Sequence, residues 1–228
     1  MTAADIKLNL EKQPLPKYSS GEEVFNWISH AVGIVLGFFT LGFSIALSII
    51  YRFASWQTVS LIFYSLAIVF LYATSTIYHA LSKDSTWKKL FRILDHNTIY
   101  LLIAGTYAPI CAFAFPGTNY GYIIMSIQAI CLIVGTVLNL KNLNGKATQI
   151  ITVLLYIVMG WIIVVFFPAM QAIGLTSILL ILCGGISYTL GVIFYAAGRK
   201  IKWMHSVFHL FVLIGTILQL LGIIYMIV

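Results

Sequence analysis

Charged side chains are scarce in this sequence. Asp, Glu, Lys and Arg make up 8% of the 228 residues, whereas soluble globular domains carry about 25%. Hydrophobic residues make up 61% of the chain. A membrane-spanning helix needs about 20 mostly apolar residues, so there is room for several spans and for no extramembrane domain of useful size. This composition excludes a soluble globular fold.

Cysteines are few, and basic residues outnumber acidic ones. Cys111, Cys131 and Cys183 lie far apart inside apolar runs without a CxxC pair, which indicates small buried residues rather than a disulfide framework. The 13 Lys and Arg against 6 Asp and Glu give a formal charge of +7. Because the basic residues lie in short loops between apolar runs, as membrane topology requires, we expect no nucleic-acid partner.

Apolar runs separated by short polar breaks predict seven membrane spans. We place them near residues 25–50, 57–81, 94–115, 119–139, 148–168, 173–197 and 204–228. Runs of this length favour helices, since an open sheet cannot satisfy its backbone in lipid. The sequence therefore predicts an all-α, polytopic seven-transmembrane-helix bundle over residues 25–228, after a cytosolic N-terminal tail over residues 1–24.

The loop charges predict the orientation of the bundle. Every Lys and Arg except Arg52 falls on one side if the spans alternate, in the tail and in the second, fourth and sixth loops. Basic residues favour the cytoplasmic side. We therefore expect a multi-pass protein of the plasma (cytoplasmic) membrane with its N-terminus inside and its C-terminus outside. This is opposite to the G-protein-coupled receptors, which disfavours that class.

Polar residues converge on the predicted cytoplasmic ends of the spans. His79 ends span two, Asp95 begins span three, and His205 and His209 open span seven. The start of span one adds Glu22, Glu23, Asn26 and His30. Ionisable side chains inside spans cost free energy and are typical of functional sites, so we expect the functional site at this end.

A metal centre is the chemistry that this set favours. His205 and His209 are four residues apart, so a helix directs both imidazoles to one face. With His79 they would supply three imidazoles and leave a fourth position open, the ligand set of a catalytic Zn²⁺ site. Zn²⁺ would activate a water molecule. Asp95 would orient or deprotonate that water or bond a ligand imidazole, and Ser75 could donate a hydrogen bond to an oxyanion.

Other interpretations of the histidines stay open. The trio could be a hydrogen-bonded cluster without metal, and His205, His209 and Asp95 alone would suit a ferrous site. Since no Glu stands between His205 and His209, the HExxH mechanism of zinc proteases does not transfer. We expect His96 either to lie at the membrane interface or to bond a backbone carbonyl.

Neighbouring polar and small residues also have structural interpretations. Glu22 and Glu23 could form the capping turn of the first helix. The basic group from Lys83 to Arg92 is expected to be a topology signal. Gly33 and Gly37 form a GxxxG motif, which indicates either a close helix contact or a dimer face, and the oligomeric state stays open.

Four longer segments resemble the motifs of a known family. They are GEEVFNWISHAVG, STIYHALS, LDHNTIYLLIAGTYAP and WMHSVFHLFVLIGT. From about Tyr18 to its end, the chain resembles the hemolysin III branch of the progestin and adipoQ receptor family, of bacterial type. The resemblance implies a seven-helix bundle with a cytoplasmic N-terminus and a zinc site near that face. The matching ligands are His79, His205 and His209, and the matching serine and aspartate are Ser75 and Asp95.

The resemblance implies two different functions. The family is similar to alkaline ceramidases and presumed membrane hydrolases, which implies zinc-dependent hydrolysis of a lipid amide or ester. The hemolysin name implies cytolytic or pore-forming activity, although few ionisable groups lie outside the histidine-rich end to line a polar pore. A third alternative is a non-enzymatic membrane receptor or sensor with structural zinc. The expected partners are membrane lipid and a lipid-like substrate.

Overall fold

Seven α-helices and one 3₁₀ helix make up the part of the chain that the structure describes. The computed structural model describes residues 14–116 and 118–228, except for the side chains of residues 167–172. The helices, α1 to α7 in chain order, are Ser20–Ile50, Ser55–Ala80, Thr86–Ala114, Tyr120–Asn142, Lys146–Trp161, Leu175–Ala197 and Met204–Ile227. The 3₁₀ helix Ile162–Ile173 continues α5. Counted with that continuation to Phe166, all seven helices are long and apolar enough to cross a membrane, which confirms the predicted bundle.

Two helices begin earlier than their apolar runs. Helix α1 starts at Ser20 rather than near residue 25, and α3 starts at Thr86 rather than near residue 94. A capping box explains the first start: the Ser19 hydroxyl accepts from the Glu22 amide at 3.3 Å, and the Glu22 carboxylate accepts from the Ser19 amide at 2.8 Å. Caps and polar first turns extend a helix beyond its hydrophobic part, so hydrophobicity alone placed both starts too late.

Helix α3 lies at the centre of the bundle. It packs against its chain neighbours α2 and α4 and also against α5 and α7, while α1 packs against both α2 and α7. Outward-facing apolar side chains such as Val35 and Ile133 stay exposed, as lipid-facing surfaces do. The 3₁₀ helix ends at Gly174, whose φ of 79° favours glycine and begins the turn into α6.

The GxxxG motif of α1 is a helix contact within the monomer. Gly33 lies against the ring of Tyr72 and Gly37 lies against Val69, both on α2. Tyr72 is fully buried, and its hydroxyl is 2.7 Å from the Thr216 hydroxyl on α7. The small face of α1 therefore brings α2 close enough to link it with α7, which confirms the first of the two alternatives for this motif.

Gly33→Ala should destabilise the bundle, and Gly42→Ala should not. A Cβ on Gly33 would lie 2.3 Å from the Tyr72 ring, whereas a Cβ on Gly42 meets nothing within 4 Å. Overpacking of this kind costs about 1–3 kcal/mol, and alanine in an open helical position stabilises by up to about 1 kcal/mol. Thermal unfolding in detergent measures both variants, and equal midpoints would contradict the packing described for Gly33.

The orientation expected from the loop charges can be tested by labelling. In a variant without the three native cysteines, a cysteine at the exposed position Asp84 should resist a membrane-impermeant maleimide in intact cells. A cysteine at the exposed position Asn119, beyond the opposite end of α3, should react. Both should react after permeabilisation, and the reverse pattern in intact cells would show the opposite orientation.

Candidate metal centre

The polar ends of four helices meet at one end of the bundle, as the sequence predicts. His79 lies in the last turn of α2, and His205 and His209 lie in the first two turns of α7. All three imidazoles are buried, with exposed fractions of 2%, 6% and 1%. The first turns of α1 and the start of α3 complete the surroundings.

The three histidines are close enough to hold one metal ion. Each offers a ring nitrogen, and these nitrogens all lie within 4.8 Å of one another. The Nε2 atoms of His205 and His209 are 3.1 Å apart, and the buried Nε2 of His79 has no hydrogen-bond partner among the described residues. Among the described residues, Asp95 is not part of this cluster. The alternative ferrous site, with two histidines and one carboxylate as ligands, is therefore not formed.

Glu23 of α1 binds the outer side of His79. Its Oε2 atom is 2.6 Å from His79 Nδ1, and its Oε1 atom is 3.0 Å from the Lys88 ammonium. A carboxylate accepts hydrogen bonds, so Nδ1 carries the hydrogen and the Nε2 lone pair faces the cluster. This arrangement leaves His79 in the tautomer that can ligate a metal through Nε2.

Lys88 and Arg92 lie on α3 and face the interior of the bundle, rather than lying in the second loop as predicted. Lys88 is 1% exposed and donates to the carbonyls of Tyr78 and Leu81, each at 2.9 Å. Arg92 is 6% exposed and donates to the Asn144 side chain at 2.9 Å. The spacing of Lys88, Arg92 and His96 puts all three on one helical face, a signal that could have indicated an inward-facing basic stripe.

Glu22 has a different role from its neighbour. Besides capping α1, its Oε1 atom accepts from the Trp203 amide at 2.7 Å. Trp203 precedes α7 with a φ of 68°, a left-handed conformation that costs a non-glycine residue about 1–2 kcal/mol. The hydrogen bond from the Trp203 amide to Glu22 holds this turn in place, two residues before His205. The capping prediction is therefore confirmed for Glu22, whereas the carboxylate of Glu23 contacts His79.

Asn26 and His30 are the other two polar residues predicted at the start of α1. Asn26 is fully buried, accepts from the Ser206 hydroxyl at 2.7 Å and lies 3.5 Å from His79 Nδ1. The His30 ring stacks on His209 with centroids 3.7 Å apart. These contacts confirm that α1 faces the ligand histidines and lies between α2 and α7 at this end.

A cavity of about 140 Å³ extends from the histidine cluster into the bundle. Asp95 and His205 line it, and most of its other walls are apolar side chains. Asp95 lies 3.7 Å from His96 Nδ1, and Ser75 is fully buried beside it. His96 donates to the Arg92 carbonyl at 2.8 Å, which confirms its expected structural role.

Tyr18 covers the outer side of the cluster. Its ring stacks on His205 with centroids 4.8 Å apart and an interplanar angle of 21°. Its carbonyl accepts from Lys83 at 2.8 Å. Burial raises the pKa of the Tyr18 phenol above its ordinary value, so a neutral ring lies over the histidines. No sequence pattern indicated this contact, because Tyr18 precedes the first helix.

Fold and site together define a seven-helix membrane protein with a buried histidine cluster at one end of its bundle. The family model described as Haemolysin-III related matches residues 18–220. The chain belongs to the haemolysin III family, which confirms the predicted family and, with the seven apolar helices, the predicted multi-pass membrane localisation.

The chain is similar to several named relatives. It is 33% identical to Hemolysin-3 homolog of Bacillus subtilis (strain 168) over 196 residues, 86% of this chain and 89% of that protein. It is 34% identical to Hemolysin-3 of Bacillus cereus over 198 residues, 86% of this chain and 87% of that protein. The human Monocyte to macrophage differentiation factor is 26% identical over 168 residues, 69% of this chain and 66% of that protein.

His205→Ala should abolish metal binding, whereas His96→Gln should not. Removing one of three ligands breaks the cluster, while His96 lies on α3 and its Nδ1 bonds the Arg92 carbonyl. Elemental analysis of the purified proteins should find about one metal ion per wild-type and His96→Gln chain. A wild type without metal, or a His205→Ala variant with the wild-type content, would contradict the assignment.

Proposed function

We propose that the chain is a zinc-dependent intramembrane hydrolase of a lipid amide or ester. The observation that carries the proposal is a cluster of three buried imidazoles, one of which (His205) lines a mostly apolar cavity that Asp95 also lines. A metal ion held by imidazoles can activate a water molecule, and an apolar cavity can accept an acyl chain. The combination suits a substrate that carries its carbonyl at one end of a hydrocarbon chain.

The donor set fits zinc. Three imidazoles with one open position are typical of catalytic zinc sites. Two nitrogens bound tetrahedrally at the usual Zn–N length lie about 3.3 Å apart, close to the 3.1 Å between His205 Nε2 and His209 Nε2. The unpaired Nε2 of His79 supplies the third ligand through a small side-chain adjustment. The unpaired Nε2 of His79 and the short distance between His205 Nε2 and His209 Nε2 both support a bound cation.

The chain's own side chains have distinct roles in the proposed reaction. Bound zinc would supply Lewis acidity for a water molecule and for the substrate carbonyl. Asp95 takes a proton from the attacking water and returns it to the leaving amine or alcohol, which balances hydrolysis to a carboxylic acid. Ser75, buried beside Asp95, donates a hydrogen bond to the carbonyl oxygen as its negative charge develops.

A second candidate is a non-enzymatic membrane sensor with a structural metal. The cover provided by Tyr18 favours this alternative, because a stacked ring closes one side of the cluster and structural metal sites are closed. In that case metal loss should lower thermal stability, and no substrate should be hydrolysed. The apolar walls of the cavity give little support to a third candidate, a polar pore.

Asp95→Asn should keep the metal and lose the activity. Losing the proton-transfer group should reduce the turnover rate by about 10²–10⁴-fold, while Asp84→Asn, at an exposed loop position, should leave it unchanged. The assay uses purified protein and a panel of ceramides, N-acyl amines and phospholipid esters, with metal content measured in parallel.

Three outcomes would change the hydrolase proposal. A zinc-loaded wild type that hydrolyses none of the panel, yet loses thermal stability when the metal is chelated, favours the structural-metal candidate. Unchanged turnover by Asp95→Asn would remove Asp95 from the mechanism. Leakage of liposomes caused by the purified wild type at low concentration would support the pore instead.

A further inference from the structure

We infer that Glu23 is a positioning residue of the metal centre and that Lys88 holds Glu23 in place. The inference rests on the proposed zinc site and assigns two residues that do not themselves ligate the metal. Glu23 acts through His79, and Lys88 acts through Glu23. The pair links α1 and α3 to the single ligand that α2 contributes.

The contact between Glu23 and His79 fixes the ring of that ligand. Its 2.6 Å length is typical of a strong, charge-assisted hydrogen bond. A ligand histidine in proteins usually donates its second N–H to a carboxylate or carbonyl, which sets the tautomer and raises the basicity of the metal-binding nitrogen. The other ring nitrogen of His79 is the one left without a partner inside the site, as this arrangement requires.

Lys88 is placed to hold both the carboxylate and the backbone around His79. Its ammonium lies 3.0 Å from Glu23 and 2.9 Å from the carbonyls of Tyr78 and Leu81, on either side of His79 in sequence. The two carbonyl contacts are hydrogen bonds, and the contact with Glu23 is an ion pair between opposite charges. One buried cation therefore fixes the end of α2 and the orientation of Glu23 together.

The burial of Lys88 indicates that this residue does more than set the membrane topology. An ammonium in an apolar surrounding costs several kcal/mol unless it is paired and hydrogen-bonded. A topology signal needs only a basic residue in a loop, and Lys83 and Lys89 already flank this position. The interior position of Lys88 is therefore best explained by its three partners.

The test compares two adjacent glutamates. Glu23→Gln should weaken zinc binding by about 10–100-fold, the usual effect of removing a group that supports a ligand. Glu22→Gln, whose carboxylate caps α1 and holds Trp203, should lower thermal stability and leave zinc affinity within about threefold of wild type. Affinity is measured by competition with a chromogenic chelator on purified protein. The visible spectrum of the Co²⁺-loaded protein should change for Glu23→Gln and not for Glu22→Gln.

A double-mutant cycle separates positioning by Lys88 from a general structural role. Lys88→Met alone should weaken zinc binding, because Glu23 loses its anchor. In the Glu23→Gln background the same change should add little, since coupled residues are not additive. Fully additive losses would show that Lys88 does not act through Glu23 and would overturn that part of the inference.

The outcomes also separate this inference from the proposed function. A wild type that binds no zinc would overturn the metal centre and the positioning roles together. A wild type that binds zinc while Glu23→Gln binds it equally well, with an unchanged Co²⁺ spectrum, would overturn only the role of Glu23. Thermal unfolding of each variant confirms that affinities are compared between folded proteins.

Discussion

The hydrogen bond between Glu23 and His79 is the contact around which this end of the bundle is organised. It joins α1 to α2 at 2.6 Å, and Lys88 on α3 completes it from the other side. The adjacent Glu22 ties α1 to the turn before α7. Because lipid offers no partners to polar groups, these side chains must satisfy one another. The same contacts therefore hold four helices together, and the bond from Glu23 also orients His79.

Much of this arrangement follows from features that act over a few residues. The lengths of the apolar runs define seven spans, and the spacing of His205 and His209 puts them on one helical face. Alternation of the spans then brings His79, at the end of α2, to the same depth. Depth and periodicity are nearly sufficient to assemble the histidine cluster, because a helix crossing a membrane has little freedom in where its ends lie.

Other features depend on partners far apart in the chain. The spacing of Lys88, Arg92 and His96 indicates one helical face but not the partners that bury Lys88, since its burial depends on Glu23 and on the carbonyls ending α2. The separate roles of Glu22 and Glu23 depend on how α1 is rotated against α2 and α7. The early start of α3 depends on packing of a polar turn. Such effects arise from tertiary contacts, which override local pattern.

The position of Tyr18 bears on how molecules reach the site. Its ring lies over His205, whereas the cavity leads from the same histidine into the interior of the bundle. A molecule that reaches His205 from outside the bundle must therefore pass the stacked ring of Tyr18. A molecule that reaches it through the cavity passes apolar walls. A hydrocarbon chain crosses such walls more easily than a water-soluble molecule does. The cavity side of His205 is therefore suited to an apolar molecule, and the ring of Tyr18 lies over its outer side.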